Sequence, residues 1–226
     1  MRRRYADLWV RCESVERCLE MIRCLKRLGF SSAAIELQGE CVERFNHLKR
    51  EGEGIGLNLY RKLVLEPSNR RELLKLLREN RGRFEVISVI CRNLETAIVA
   101  ARDSRVDTII IPVDPRYRLD KGVATLLKNK VELPFRYFLE DKSGFLKTAS
   151  EIVSVLGKRC GIIVSSAGSC SLELRNPRQL ASLLQVLGFD EERALDSIST
   201  EVTNLIEENL VKLSENYVMR GVMKLG

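Results

Sequence analysis

Short apolar runs rich in Val, Ile and Leu alternate along this chain with segments whose apolar positions recur at helical spacing. The runs predict strands over 7–10, 33–37, 57–65, 84–91, 108–111, 133–139 and 162–164. Between them lie helices with clear punctuation. Ser14 suits the cap of a helix reaching Leu28, with Val15, Cys18, Leu19, Ile22 and Leu25 on one face and Gly29 at its stop. A short charged helix is predicted over 42–50, followed by a glycine-rich loop over 51–56. Asn69 with Glu72 resembles a capping box for a helix to Asn80. Further helices are predicted over 94–102, 121–128 and 144–156. Another is framed by Asn176 at the N-cap, Pro177 at N1 and Gly188 beyond its end. Two more, capped by Asp190 and by Ser199 or Thr200, precede a tail over 215–226 expected to fray.

Apolar strands that alternate with helices imply a parallel sheet covered on both faces. About seven such units in residues 1–214, with no linker between them, fit a single TIM-barrel-like α/β domain better than an open sheet. At 226 residues the chain is shorter than the usual barrel of about 250, so an incomplete or distorted barrel is expected.

Composition adds a direction. Residues 1–120 hold 24 Lys and Arg against 18 Asp and Glu, and residues 121–226 hold 14 against 13. Six of the seven net positive charges therefore sit in the first half, where Arg outnumbers Lys, and the excess suggests an anionic partner. No apolar stretch is long enough to span a membrane, and no apolar segment suited to a signal peptide follows Met1 to Arg4, so a cytoplasmic location is expected. Seven cysteines without any Cys-x-x-Cys pair predict free thiols in a reducing compartment.

One stretch is more specific. Ile163-Val-Ser-Ser-Ala runs into small residues, and Leu174-Arg-Asn-Pro-Arg-Gln-Leu-Ala follows as a capped, basic helix start. Strand, small-residue turn, basic pair and helix together suit a phosphate-facing loop. The stretch resembles the signature of the p30-type protein subunits of ribonuclease P, the archaeal component 3 type. Val64-Leu-Glu-Pro-Ser-Asn is similar to a second segment of that family, and Val86-Ile-Ser-Val-Ile with Asn93-Leu-Glu-Thr-Ala and Asp103-Ser-Arg-Val-Asp to a third. The likeness runs over roughly residues 5–213. It implies a TIM-barrel-like fold related to the polymerase-and-histidinol-phosphatase (PHP) barrels. It also implies a non-catalytic subunit that binds ribonuclease P RNA and protein component 2, and meets precursor tRNA indirectly, while the RNA removes the 5′ leader using Mg²⁺.

The chemistry available to the chain itself is sparse. His47, the one histidine, stands on the short second helix, so neither a Ser-His-Asp set nor a His-containing zinc site can be assembled. The PHP enzymes open Asp-Leu-His-x-His, whereas this chain opens Asp7-Leu8-Trp9-Val10-Arg11. Trp cannot ligate a metal and Arg is a fixed cation. No catalytic residue, metal ligand or cofactor is therefore assigned. Two enzyme readings stay open: a metal phosphoesterase using Glu36, Glu66, Asp114 and Glu140, and a small-molecule barrel enzyme with phosphate at Ser165 to Gly168. The candidates for RNA contact are Arg70, Arg71, Arg92, Arg105, Arg116, Arg118, Lys121, Arg175 and Arg178. Arg suits phosphate because its planar fork can bind two oxygens at once.

Overall fold

The structure is a computed structural model that describes residues 3–115, 117, 119–157, 161–214, 216–219 and 222–223. Seven strands run parallel and pair in chain order: β1 (Ala6–Cys12), β2 (Ser32–Leu37), β3 (Asn58–Leu65), β4 (Val86–Ile90), β5 (Thr108–Ile110), β6 (Lys130–Pro134) and β7 (Ile162–Ser165). The sheet curls until β7 reaches β1, but the seam there is thin. A parallel bridge joins Val10 and Gly168. The Ala167 N–H donates to the Trp9 carbonyl at 2.7 Å, and the Arg11 N–H to the Gly168 carbonyl at 2.8 Å. Below them, Asp7 Oδ1 accepts from the Trp9 and Ser166 amides at 3.2 and 3.0 Å. A carboxylate thus replaces part of the missing ladder.

Helices α1 (Val15–Leu28), α2 (Phe45–Gly54), α3 (Arg70–Asn80), α4 (Leu94–Arg102), α5 (Lys121–Leu126), α6 (Phe135–Glu140), α7 (Lys142–Leu156) and α8 (Pro177–Val186) follow the strands. Their buried faces meet the outer residues of the strands in one large apolar cluster. The caps are local. Asn69, Asn93 and Asn176 each accept from an amide three residues on, and Gln179 completes a capping box with Asn176. Two further helices, α9 (Glu191–Asp196) and α10 (Thr200–Lys212), close the end where the strands begin. Val202, Leu205 and Ile206 of α10 pack on Ala6, Leu8, Ala34, Val86 and Ile163.

Alternation along the strands builds the interior in layers. Tyr60, Val86 and Ile163 belong to the apolar floor. Two residues on, Lys62, Ser88 and Ser165 form a polar layer with Thr108 and Glu132. Two residues further, Val64, Ile90, Ile110 and Ala167 join Trp9 in an apolar layer beneath the mouth. A register shift in β1 between Asp7 and Val10 allows Leu8 to reach the floor while its neighbour Trp9 reaches the upper layer.

The structure corrects three expectations. The strand expected over 133–139 is instead the end of β6 and helix α6. Lys130 and Glu132 interrupt the apolar run of the true strand. Phe135 to Leu139 has strand-like composition but packs as a helix, with Phe138 against Phe135 and Phe145. The glycine-rich segment is no loop as far as Gly54, because α2 continues through it. A Cβ at Gly52 would lie 2.7 Å from the Leu57 carbonyl, so glycine there permits helix and β3 to touch. Third, Cys12 and Cys18 form a disulfide, their Cα atoms 5.3 Å apart. The turn capped by Ser14 brings them together, a pairing that no Cys-x-x-Cys spacing announces. Alkylation of the denatured protein without reductant should modify Cys24, Cys41, Cys91 and Cys170 but spare Cys12 and Cys18. Mass mapping that finds Cys12 alkylated would remove the bridge. Of the tail expected to fray, Tyr217–Met219 and Val222–Met223 pair as two short antiparallel strands.

Candidate nucleic-acid interface

The mouth of a parallel barrel, where the strands end, gathers the side chains of the βα connections. Here it is closed by charge pairs. The Trp9 Nε1–H donates to Glu36 Oε2 at 2.8 Å, and Arg11 Nε lies 3.6 Å from the same oxygen. Arg92 pairs with Glu66. Arg136 holds Glu140 at 2.7 Å, reaches Ser169 Oγ at 3.1 Å, and stands 3.5 Å from Glu173. Three of the four acidic positions offered for a phosphoesterase, Glu36, Glu66 and Glu140, are therefore each engaged by a different guanidinium. The fourth, Asp114, is exposed, with its amide on Thr148 Oγ1 at 3.3 Å. Among the described residues, no three His, Cys, Asp or Glu side chains converge in a way that could hold a metal ion.

Under this rim lies the polar layer. Lys62 Nζ sits 2.7 Å from both oxygens of Glu132, and both side chains are fully buried. Glu132 also accepts from Ser88, Thr108 and Ser165 at 3.0, 2.7 and 2.6 Å. Burial pushes the Lys62 ammonium down from its usual range, and Glu132 pulls it partway back. The Trp9 ring stands 5.1 Å from the ammonium. Neither partner has a path to solvent, so the pair is part of the core rather than of a reaction site. Sequence reasoning missed it. The signal was present as polar residues at matching inward positions of four strands, legible only once the register of Lys62, Ser88, Thr108 and Glu132 is known.

The turn expected to face phosphate is occupied by the fold itself. Its Ser166 and Ala167 amides close the barrel seam, and the Ser169 amide donates to Glu173 at 2.7 Å. A Cβ at Gly168 would meet Glu173 and Leu174 at 3.2 Å. The small residues at this point allow chain to approach chain.

The predicted RNA contacts divide by barrel end. Arg70 and Arg71 open α3, Lys121 opens α5 and Arg178 lies in the first turn of α8; all four are exposed at the mouth end. Arg92 is there too, exposed but paired with Glu66. Arg175 is half-buried. Its guanidinium donates to the Leu172 and Leu174 carbonyls at 2.7 and 2.8 Å and lies over the Phe135 ring. It thus fastens its own loop. Arg105 belongs to the α4–β5 connection at the opposite end, gripped by both oxygens of Asp103. Arg116 and Arg118 lie outside the described residues. Arg136 joins the mouth because α6 begins at Phe135, which the strand expectation concealed.

This is a TIM-barrel-like protein whose mouth carries paired charges and is ringed by exposed cations. The model of the family "RNase P subunit p30" matches residues 4–213. Ribonuclease P protein component 3 of Aeropyrum pernix is 32% identical over 117 residues, 51% of this chain and 52% of that one, so the match spans about half of that relative. The component 3 protein of Methanothermobacter thermautotrophicus is 22% identical, covering 91% of this chain and 90% of that one. A chain from the cryo-EM structure of an archaeal ribonuclease P with mature tRNA superposes with a TM-score of 0.82 and 17% identity, over 96% of this chain and 98% of that one. That likeness concerns the fold. The chain belongs to the p30 family of ribonuclease P subunits. No helix among the described residues is long and apolar enough to cross a membrane.

Proposed function

We propose that this chain is a non-catalytic subunit that binds the RNA of ribonuclease P together with protein component 2, and so supports removal of the 5′ leader from precursor tRNA in the cytoplasm. The mouth carries this reading: the two positions where PHP barrels place metal-binding histidines hold Trp9 and Arg11, both directed at Glu36. A guanidinium there repels a divalent ion, and the neighbouring carboxylates are neutralised by their own arginines. The exposed cations of the βα connections suit the shape-and-backbone recognition of a folded RNA. Mg²⁺ would then serve the RNA, and the protein would lower the requirement for it by offsetting phosphate repulsion.

Reconstitution tests this. An archaeal ribonuclease P RNA with component 2 should cleave precursor tRNA at lower Mg²⁺ when this chain is added. The chain alone should hydrolyse no phosphoester with Mg²⁺, Mn²⁺ or Zn²⁺. Turnover by the isolated chain that disappears in Glu66→Gln would replace this reading with the phosphoesterase one.

A further inference from the structure

The densest run of positive charge in the chain lies on the flank of the barrel. Residues 70–83 contain Arg70, Arg71, Lys75, Arg78, Arg81 and Arg83 against Glu72 and Glu79 alone. Helix α3 sorts these charges. Leu73 and Leu77 are buried, which turns Arg71, Lys75 and Arg78 outward at i, i+4 and i+7. That spacing makes one stripe about 10 Å long. Arg81 is committed elsewhere, donating to Asp107 at 2.6 Å and to the Arg105 carbonyl. Glu72 is turned to the helix start, where it accepts from the Ser68 amide and hydroxyl at 2.8 and 2.6 Å. Glu79 reaches Lys75 only at 4.0 Å, with both side chains more than half exposed, a pairing of little energetic consequence. Arg83 continues the positive surface beyond the helix end.

From this arrangement we infer that the outer face of α3 is a second RNA-contacting surface, which leads the phosphate backbone from the mouth down the barrel flank. The inference rests on the RNA-binding function proposed above and extends it from the rim to the side of the barrel. RNA fits this face better than a protein does. A protein partner needs apolar or aromatic anchors buried at the centre of its interface. The large exposed apolar side chains among the described residues lie on other elements, none of them on α3. Phosphate needs no such anchor: guanidinium and ammonium groups with nearby acids removed suffice, and they give affinity without reading sequence. The stripe begins at Arg71 on the mouth side, next to Arg70, so one strand of a folded RNA can meet rim and flank together.

The test measures affinity of the full chain for an archaeal ribonuclease P RNA transcript across a salt series. Lys75→Gln with Arg78→Gln removes two flank cations, and Lys121→Gln with Arg178→Gln removes two rim cations; thermal melts establish that each variant is folded. The flank variant should bind more weakly, with the slope of log K against log[salt] reduced by about 0.7–0.9 for each phosphate no longer neutralised. Unchanged affinity and slope in the flank variant, beside a wild-type chain that binds the RNA, would overturn the α3 surface and leave the function standing. Normal RNA binding without association to component 2 would also overturn it, by giving the face to protein. A wild-type chain with no salt-dependent RNA binding would overturn both readings.

Discussion

Lys62→Met is expected to destabilise the fold by about 3–5 kcal/mol, the usual penalty for leaving one member of a buried ion pair alone. Lys62 and Glu132 are wholly enclosed, with apolar layers above and below. Removing the ammonium leaves Glu132 with three hydroxyl donors and no counter-charge. Methionine matches the stem of lysine well, so the change in packing adds little. Domains of this kind are stable by roughly 5–15 kcal/mol, so the loss is a large share of the total. Glu132→Leu should destabilise too, because it strands the ammonium instead. The double change Lys62→Met with Glu132→Leu should cost less than the sum of the single changes, since the Thr108 and Ser88 hydroxyls, 2.6 Å apart, can bond one another. Urea denaturation of all four proteins measures this cycle. A loss below about 1 kcal/mol in either single variant, against the buried-pair penalty above, would mean that water reaches the layer.

The same pair explains where sequence reading succeeds and fails. Outer faces of parallel strands are uniformly apolar and stand out, as in 86–90 and 162–164. Helix ends announce themselves through Asn69, Asn176 and Asp190, whose effects reach only three residues along the chain. The inner face obeys a different constraint. Glu132 is tolerable in a strand only because Lys62 lies opposite it, 70 residues earlier. Read locally, Glu132 breaks the strand and pushes it onto Phe135 to Leu139. The candidate interface divides in the same way. That Arg70, Lys121 and Arg178 open helices at the mouth follows from the alternation of elements alone. That Arg92 meets Glu66, and that Arg175 turns back onto the Leu172 and Leu174 carbonyls, depends on loop geometry that no periodicity encodes. That Arg105 lies at the opposite end follows from the same alternation, because it precedes a strand where the others follow one.

Asp7→Asn is expected to stabilise the protein above pH 6 and to leave it unchanged near pH 4 and below. Asp7 is fully buried at the barrel seam. Burial pushes its carboxyl up from 3.8 to about 6, while Ser166 and the Trp9 amide pull it partway back and the nearby Glu132 charge adds to the rise. The folded state therefore holds this proton more tightly than the unfolded chain does. Below pH 3.8 both states are protonated and the stabilisation is fully present. It is lost as pH rises from there through 6, because the folded state must then keep a buried charge, and above that the loss is constant. About two pH units at roughly 1.4 kcal/mol each give a total of about 3 kcal/mol. An asparagine keeps the Oδ1 acceptor for the Trp9 and Ser166 amides, offers Ser166 an amide donor, and carries no proton to lose. The difference in unfolding free energy between variant and wild type should thus grow from zero near pH 4 to a plateau of up to about 3 kcal/mol by pH 8. Two parallel stability curves over that range would show that Asp7 ionises in the seam at no cost, and that the carboxylate form is the one the barrel closes around.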